Sequence, residues 1–200
     1  DDNMKLYVKS DEKYLYVMAD IKGFNFEKDK LFLPIDITPN SGNLKYNDYN
    51  LKFKRPTDMV IMLDKKGGSR IVTDSYYDVF YYTYANQLNM IGRNAAYENK
   101  NSGIFNPIYL CLNRPLYLPQ DKKNLPLEKY ETGKLTLGDG NPQHDNYNSL
   151  TDYSVNKNTV EIRIPWQLLN VMDPSTKTIM DDFYNKKGIS PMKINGLYIG

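Results

Sequence analysis

The chain has 200 residues, with 26 Lys and Arg against 24 Asp and Glu, a formal net charge of +2 at pH 7 and a mean hydropathy of −0.63. A balance this close to neutral, without a basic block, argues against a dedicated nucleic-acid or membrane-surface binder, and no apolar run is long enough for a transmembrane helix. A single cysteine, Cys111, excludes an internal disulfide and a Cys-rich zinc site.

Eighteen Tyr, 7 Phe and 22 Asn against only 4 Ala favour half-buried strands and polar loops over helices. Met4 to Lys9 reads as a short strand, Ser10-Asp11-Glu12 as a polar turn, and Lys13 to Asp20 as the returning strand. In that second strand both alternating sets are apolar (Tyr14, Tyr16 and Met18; Leu15, Val17 and Ala19), which predicts a central strand covered on both faces. Lys30 to Ile37 is a third strand, and Pro34 places it at an edge or a bulge. Thr57 to Asp64 and Ser69 to Thr73 bracket Lys65-Lys66-Gly67-Gly68 as a hairpin.

The segment Tyr76 to Tyr84 carries two periods at once. As a strand it sets Tyr76, Phe80, Tyr82 and Tyr84 on one face; as a helix it stacks Tyr77, Phe80, Tyr81, Tyr84 and Leu88. The strand is the reading adopted. Residues 85–106 read as a surface excursion, and Ile108 to Leu112 as a buried strand that carries Cys111 inward as an inert core thiol. Residues 113–149 hold four of the 11 prolines and read as a long irregular stretch, functional or only partly ordered. Leu150 to Val155 and Thr159 to Pro165 form a second hairpin, with Val160, Ile162 and Ile164 inward and Glu161 and Arg163 outward. Trp166 to Asn170 fits one helical turn, and Met192 to Ile199 a last strand. The expected architecture is all-β: one antiparallel β-sandwich of immunoglobulin-like layers with about ten strands, long loops and one or two short helices. Residues 1–200 read as one domain of a longer protein, the chain opening on Asp1-Asp2-Asn3 without a leader pattern.

Three segments together resemble a known superfamily. Ser10-Asp11-Glu12-Lys13-Tyr14-Leu15-Tyr16-Val17 resembles the hairpin that opens carbohydrate-binding modules of family 9 and the related DOMON-like sandwiches. Asp29 to Asp36 is similar to the strand that follows there, and Thr159 to Leu169 to the late segment ending in Ile-Pro-Trp-x-x-Leu. The resemblance implies a non-catalytic binding module and the sandwich fold. Family 9 modules clamp a sugar between two tryptophans, whereas this chain has one, Trp166, at a packing position; the haem-binding DOMON relatives find no matching ligand here, so haem is not expected.

Among candidate ligand-binding residues, Tyr76, Tyr77, Tyr81, Tyr82 and Tyr84 offer the aromatic faces and hydroxyls that saccharides use, against the simpler reading that they pack in the core. In the loop Gly138 to Asn148, Asp139, Asn141 and Asp145 supply oxygen ligands that can hold calcium, against the simpler reading that they form turns. His144, the only histidine, lies in that loop with no nucleophile signature anywhere, so no catalytic residue is assigned. Asp36, Asp58, Asp78 and Glu161 are the carboxylates on or beside predicted strands that a glycosidase would need. The expected partners are a polysaccharide or glycoconjugate and neighbouring domains of the same chain, at an extracytoplasmic location. The alternative is a docking domain without a free ligand, and a hydrolase is the third reading.

Overall fold

The computed structural model describes residues 3–200. Its strands in chain order are β1 (Met4–Ser10), β2 (Tyr14–Ile21), β3 (Leu31–Asp36), β4 (Asn43–Tyr46), β5 (Leu51–Thr57), β6 (Met59–Leu63), β7 (Arg70–Asp74) and β8 (Phe105–Pro107). An arm follows, made of β9 (Tyr109–Asn113), β10 (Leu116–Leu118), β11 (Lys123–Leu125) and β12 (Glu128–Glu131). The chain then returns through β13 (Tyr153–Asn156), β14 (Thr159–Pro165), β15 (Val171–Asp173), β16 (Thr178–Met180), β17 (Pro191–Lys193) and β18 (Tyr198–Ile199).

Two antiparallel sheets carry the body, one in the order β1-β2-β14-β13 and the other β18-β3-β6-β7-β8. Period-two alternation gives each sheet an apolar face. Leu15, Val17, Ala19, Val160, Ile162 and Ile164 from the first join Leu33, Ile35, Met59, Ile61, Leu63 and Ile71 from the second in one buried cluster. Each of these side chains other than Ala19 contributes about 1.5–3 kcal/mol by leaving water. The result is an all-β, sandwich-like architecture. On the far side of the second sheet the β4–β5 hairpin covers Val60, Met62 and Val72 with Tyr46, Leu51 and Phe53.

Gly42 makes that hairpin possible. Its φ is +111°, and a Cβ there would lie 2.7 Å from the backbone nitrogen of Thr57. Gly42→Ala is therefore expected to lower the unfolding free energy by about 1–3 kcal/mol, read from urea melts. An unchanged midpoint would show that the hairpin does not hold this approach in solution.

Pro34 is tolerated in β3 although two strands flank it. Its carbonyl accepts from the Gly200 amide, so its missing N–H faces the β18 side, where pairing ends at Ile199. The last strand is divided: Pro191–Lys193 joins β16, and only Tyr198–Ile199 reaches β3.

Several expectations are corrected. Residues 76–84 are helical, running through a 3₁₀ turn (Ser75–Tyr77), the short α1 (Val79–Tyr81) and a π-turn (Tyr82–Gln87). Two aspartates decide this: Asp74 accepts from the Tyr76 amide at 3.1 Å and Asp78 from the Tyr81 amide at 3.0 Å. Such caps satisfy the free amides of a turn and outweigh the strand preference of tyrosine. Ile108 to Leu112 is not a buried strand; β9 pairs only with β12, Leu110 and Leu112 are exposed, and Cys111 is half-buried. Most of the supposedly irregular stretch 113–149 folds into the hairpin arm and a closed loop. Trp166–Leu169 forms its expected turn, with Trp166 buried and its Nε1 donating to the Asp11 carbonyl at 2.8 Å. A second short helix, α2 (Phe183–Lys186), packs on the tyrosine segment. Among the described residues no helix is long and apolar enough to cross a membrane.

Candidate functional site

The outer face of the first sheet is not covered. It floors a groove of about 1310 Å³ whose wall is the loop from Leu137 to Asn146. Strand register lays out the floor in rows. Lys9 stands beside Tyr16 and Arg163; Tyr7 stands beside Met18, Glu161 and Ser154; Lys5 stands beside Asp20, Thr159 and Asn156. Tyr14, Tyr16 and Met18 are thus only half-buried, and β2 is central in its sheet but open on one face. The expectation of two covered faces fails because tyrosine and methionine are equally suited to lining an exposed groove.

Local hydrogen bonds hold the floor rigid. The Tyr16 hydroxyl donates to Asp11 Oδ2 at 2.9 Å, while Asp11 Oδ1 accepts from the amides of Lys13 and Tyr14 at 2.8 and 2.7 Å. Those amides, Lys13 first, hold the Asp11 carboxyl below its ordinary pKa, and burial together with Asp11 raises that of Tyr16. The Arg163 guanidinium lies 4.9 Å from the Tyr14 ring centroid, and its Nη2 donates to the carbonyls of Ser149 and Thr151 at 3.1 and 2.7 Å. One side chain therefore joins the floor to the foot of the wall.

The wall is closed by Asp139. Its Oδ1 accepts from the Asn141 amide at 2.9 Å and its Oδ2 pairs with His144 Nδ1 at 2.7 Å; the Asn141 amide followed by His144 holds its pKa down. His144 Nε2 sits 3.1 Å from Asn141 Nδ2, an arrangement that fits the Nδ1-protonated neutral tautomer. Thr151 lines the groove with a buried Oγ1 that has no hydrogen-bond partner.

The sequence-assigned residues divide between this groove and the interior. Asp139 and Asn141 line the groove, whereas Asp145 is exposed and outside it. Both Asp139 oxygens are already engaged, and among the described residues no three His, Cys, Asp or Glu side chains converge as a metal site. Tyr76, Tyr77, Tyr81 and Tyr82 are buried with their hydroxyls engaged, at Asp182, Ser41, the Asn94 carbonyl and Gln87 respectively; Tyr84 is half-buried against Phe80. They form core, not a groove. Of the four carboxylates, Glu161 alone stands in the groove; Asp36 pairs with Arg55 at 3.0 Å, and Asp58 and Asp78 are buried.

Sequence reasoning missed Tyr7, Tyr16 and Met18 as groove residues. A second, smaller pocket of about 380 Å³ lies on the far sheet between Phe32, Tyr46, Tyr49 and Phe105, and its rim is spanned by the Lys30–Asp64 ion pair at 2.6 Å. Compared with protein-family models, curated proteins and solved structures, the chain matches none.

Proposed function

We infer that the domain is a non-catalytic carbohydrate-binding module, part of a larger extracytoplasmic bacterial protein, and that it takes an extended glycan along the groove. The observation that carries this reading is the groove floor. Exposed Tyr7 and half-buried Tyr16 stand there among hydrogen-bonding side chains, beside the loop wall. Aromatic faces cover the apolar C–H surface of a sugar ring, while Ser154, Asn156, Thr159 and Glu161 reach its hydroxyls. Lys9 and Arg163 face Asp139, Asp152 and Glu161, so the lining disfavours a strongly acidic chain and suits a neutral one. The segments that resemble family 9 modules, residues 10–17 and 159–169, supply β2 and β14, the middle of that floor. Calcium held by Asp139 and Asn141 would compete with the His144 contact to Asp139, and the EDTA arm below tests it.

The test is a glycan array run with calcium and again with EDTA, comparing the native domain with Tyr7→Ala and with Tyr49→Ala in the smaller pocket. Tyr7 is exposed and Tyr16 lies deeper, so Tyr7→Ala removes a stacking face without opening the core. Loss of at least tenfold in affinity for Tyr7→Ala alone supports the groove. Loss for Tyr49→Ala alone moves the site to the other sheet. The docking reading has its own support in Leu110, Leu112, Leu116, Tyr117 and Tyr130, exposed along the arm. An array blank in both buffers would leave that reading standing.

A further inference from the structure

We propose that the free edge of β1 is a docking strand for an extended segment of another protein whose side chains alternate apolar and acidic. The proposal does not rest on the glycan reading, although Tyr7 and Lys9 also border the groove. Among the described residues β1 is hydrogen-bonded to β2 alone, in an unbroken seven-residue register without proline, glycine or bulge. The Lys22 amide donates to the Asn3 carbonyl at 2.9 Å, which fixes the phase of the ladder. Antiparallel ladders alternate bonded and non-bonded pairs, so Lys5, Tyr7 and Lys9 bond to β2. The N–H and C=O groups of Met4, Leu6, Val8 and Ser10 therefore point to the open side.

Natural edges are usually short, bulged, proline-blocked or covered. The other edge of this sheet, β13, has four residues and is flanked by the Leu137 bridge. Among the described residues β1 has none of these protections and carries only charged Lys5 and Lys9 on its outer face, while Met4, Tyr7 and Val8 are 39%, 51% and 53% exposed. Leu6 packs on the main core, so the Met4–Leu6–Val8 side of an added strand would extend the hydrophobic layer and calls for apolar partners. On the other face Lys5 and Lys9 stand four residues apart and call for carboxylates at the same spacing. A second copy of this chain fits poorly: full antiparallel pairing of two β1 strands sets Lys5 of each copy opposite Lys9 of the other, and like charges directly opposite destabilise a sheet.

The experiment titrates the ¹⁵N-labelled domain with the acetylated, amidated peptide VEVTVEV and with its counterpart in which both glutamates are lysine, following amide shifts and hydrogen exchange. The expected result is slowed exchange at the Leu6 and Val8 amides, with the acidic peptide binding at least tenfold tighter. The double substitution Lys5→Glu with Lys9→Glu should reverse that preference. Val8→Pro removes an outward N–H without removing a bond to β2; it should abolish binding while the melting curve stays in place. Equal binding of both peptides, no protection with either at millimolar concentration, or protection that appears without peptide as the domain dimerises would each overturn the proposal.

Discussion

At pH 8 the Asp74→Asn variant is expected to be more stable than the native chain by about 2–4 kcal/mol, and near pH 4 the two should unfold together. Asp58 and Asp74 are buried neighbours across the β6–β7 hairpin, with the Asp74 amide donating to the Asp58 carbonyl at 2.6 Å. Asp58 Oδ2 accepts from the amides of Ile37 and Thr38 at 2.6 and 2.8 Å, and Asp74 Oδ1 from Tyr76 at 3.1 Å. The second oxygen of each, Asp58 Oδ1 and Asp74 Oδ2, is buried without a partner. Burial pushes both carboxyls up to about 7 from 3.8, and for Asp58 the charge of Asp74 adds to the shift.

The fold therefore binds protons that the unfolded chain has released. The stability this gives is complete below about pH 3.8 and is lost as pH rises through about 7. A displacement of about three pH units corresponds to roughly 4 kcal/mol for one such group. Asparagine at 74 keeps an acceptor for Tyr76 and never ionises. Urea melts of both proteins at pH 4, 6 and 8 measure the difference, from which titrations shared by the two chains cancel. A difference that does not grow with pH would mean that Asp74 takes up no proton on folding.

Phe183→Ala is expected to cost about 3–5 kcal/mol, the usual range for emptying a buried phenylalanine site. Phe183 is fully buried, its ring 4.7 Å from that of Tyr82 and 5.8 Å from those of Tyr77 and Tyr184. Nearby, Tyr76 donates to Asp182 at 2.8 Å, and the same carboxylate caps α2 through the Asn185 amide at 3.0 Å. The tyrosine segment and α2 are thus packed through one aromatic cluster. Chemical unfolding measures the loss, and near-ultraviolet circular dichroism of the tyrosines should fall with it. Phe183→Leu, which refills most of the volume, should recover more than half of the stability. A loss under 1 kcal/mol for the alanine variant would mean that this cluster is already loose in the native protein.

The sheet grammar was legible where one period dominated. Val160, Ile162 and Ile164 alternate with charged neighbours, and the strand they predict is the strand observed. The tyrosine segment was not, because nine residues satisfy both periods; the deciding groups were Asp74 and Asp78, whose capping bonds are local and could have been read as such. The groove lay beyond reach for a different reason. Tyr14, Tyr16 and Met18 look the same whether buried under a layer or lining a cleft, and the difference depends on a wall more than a hundred residues away. Part of the candidate site, Asp139, Asn141 and His144, was visible as a polar loop. Its attachment to the sheet was not, since nothing in the neighbourhood of Arg163 shows that its guanidinium will reach two carbonyls of another segment.

That attachment separates scaffold from variable part. The wall is pinned at both feet, by Arg163 on the carbonyls of Ser149 and Thr151 and by the Gly138 amide on the Tyr153 carbonyl at 3.1 Å. Between the feet, residues 139–147 are held chiefly by bonds among themselves. Insertions or exchanges of sequence there leave the sheet register untouched, so one floor can be fitted with different walls. The molecule thereby has a graft site, where the wall can be rewritten without renegotiating the fold.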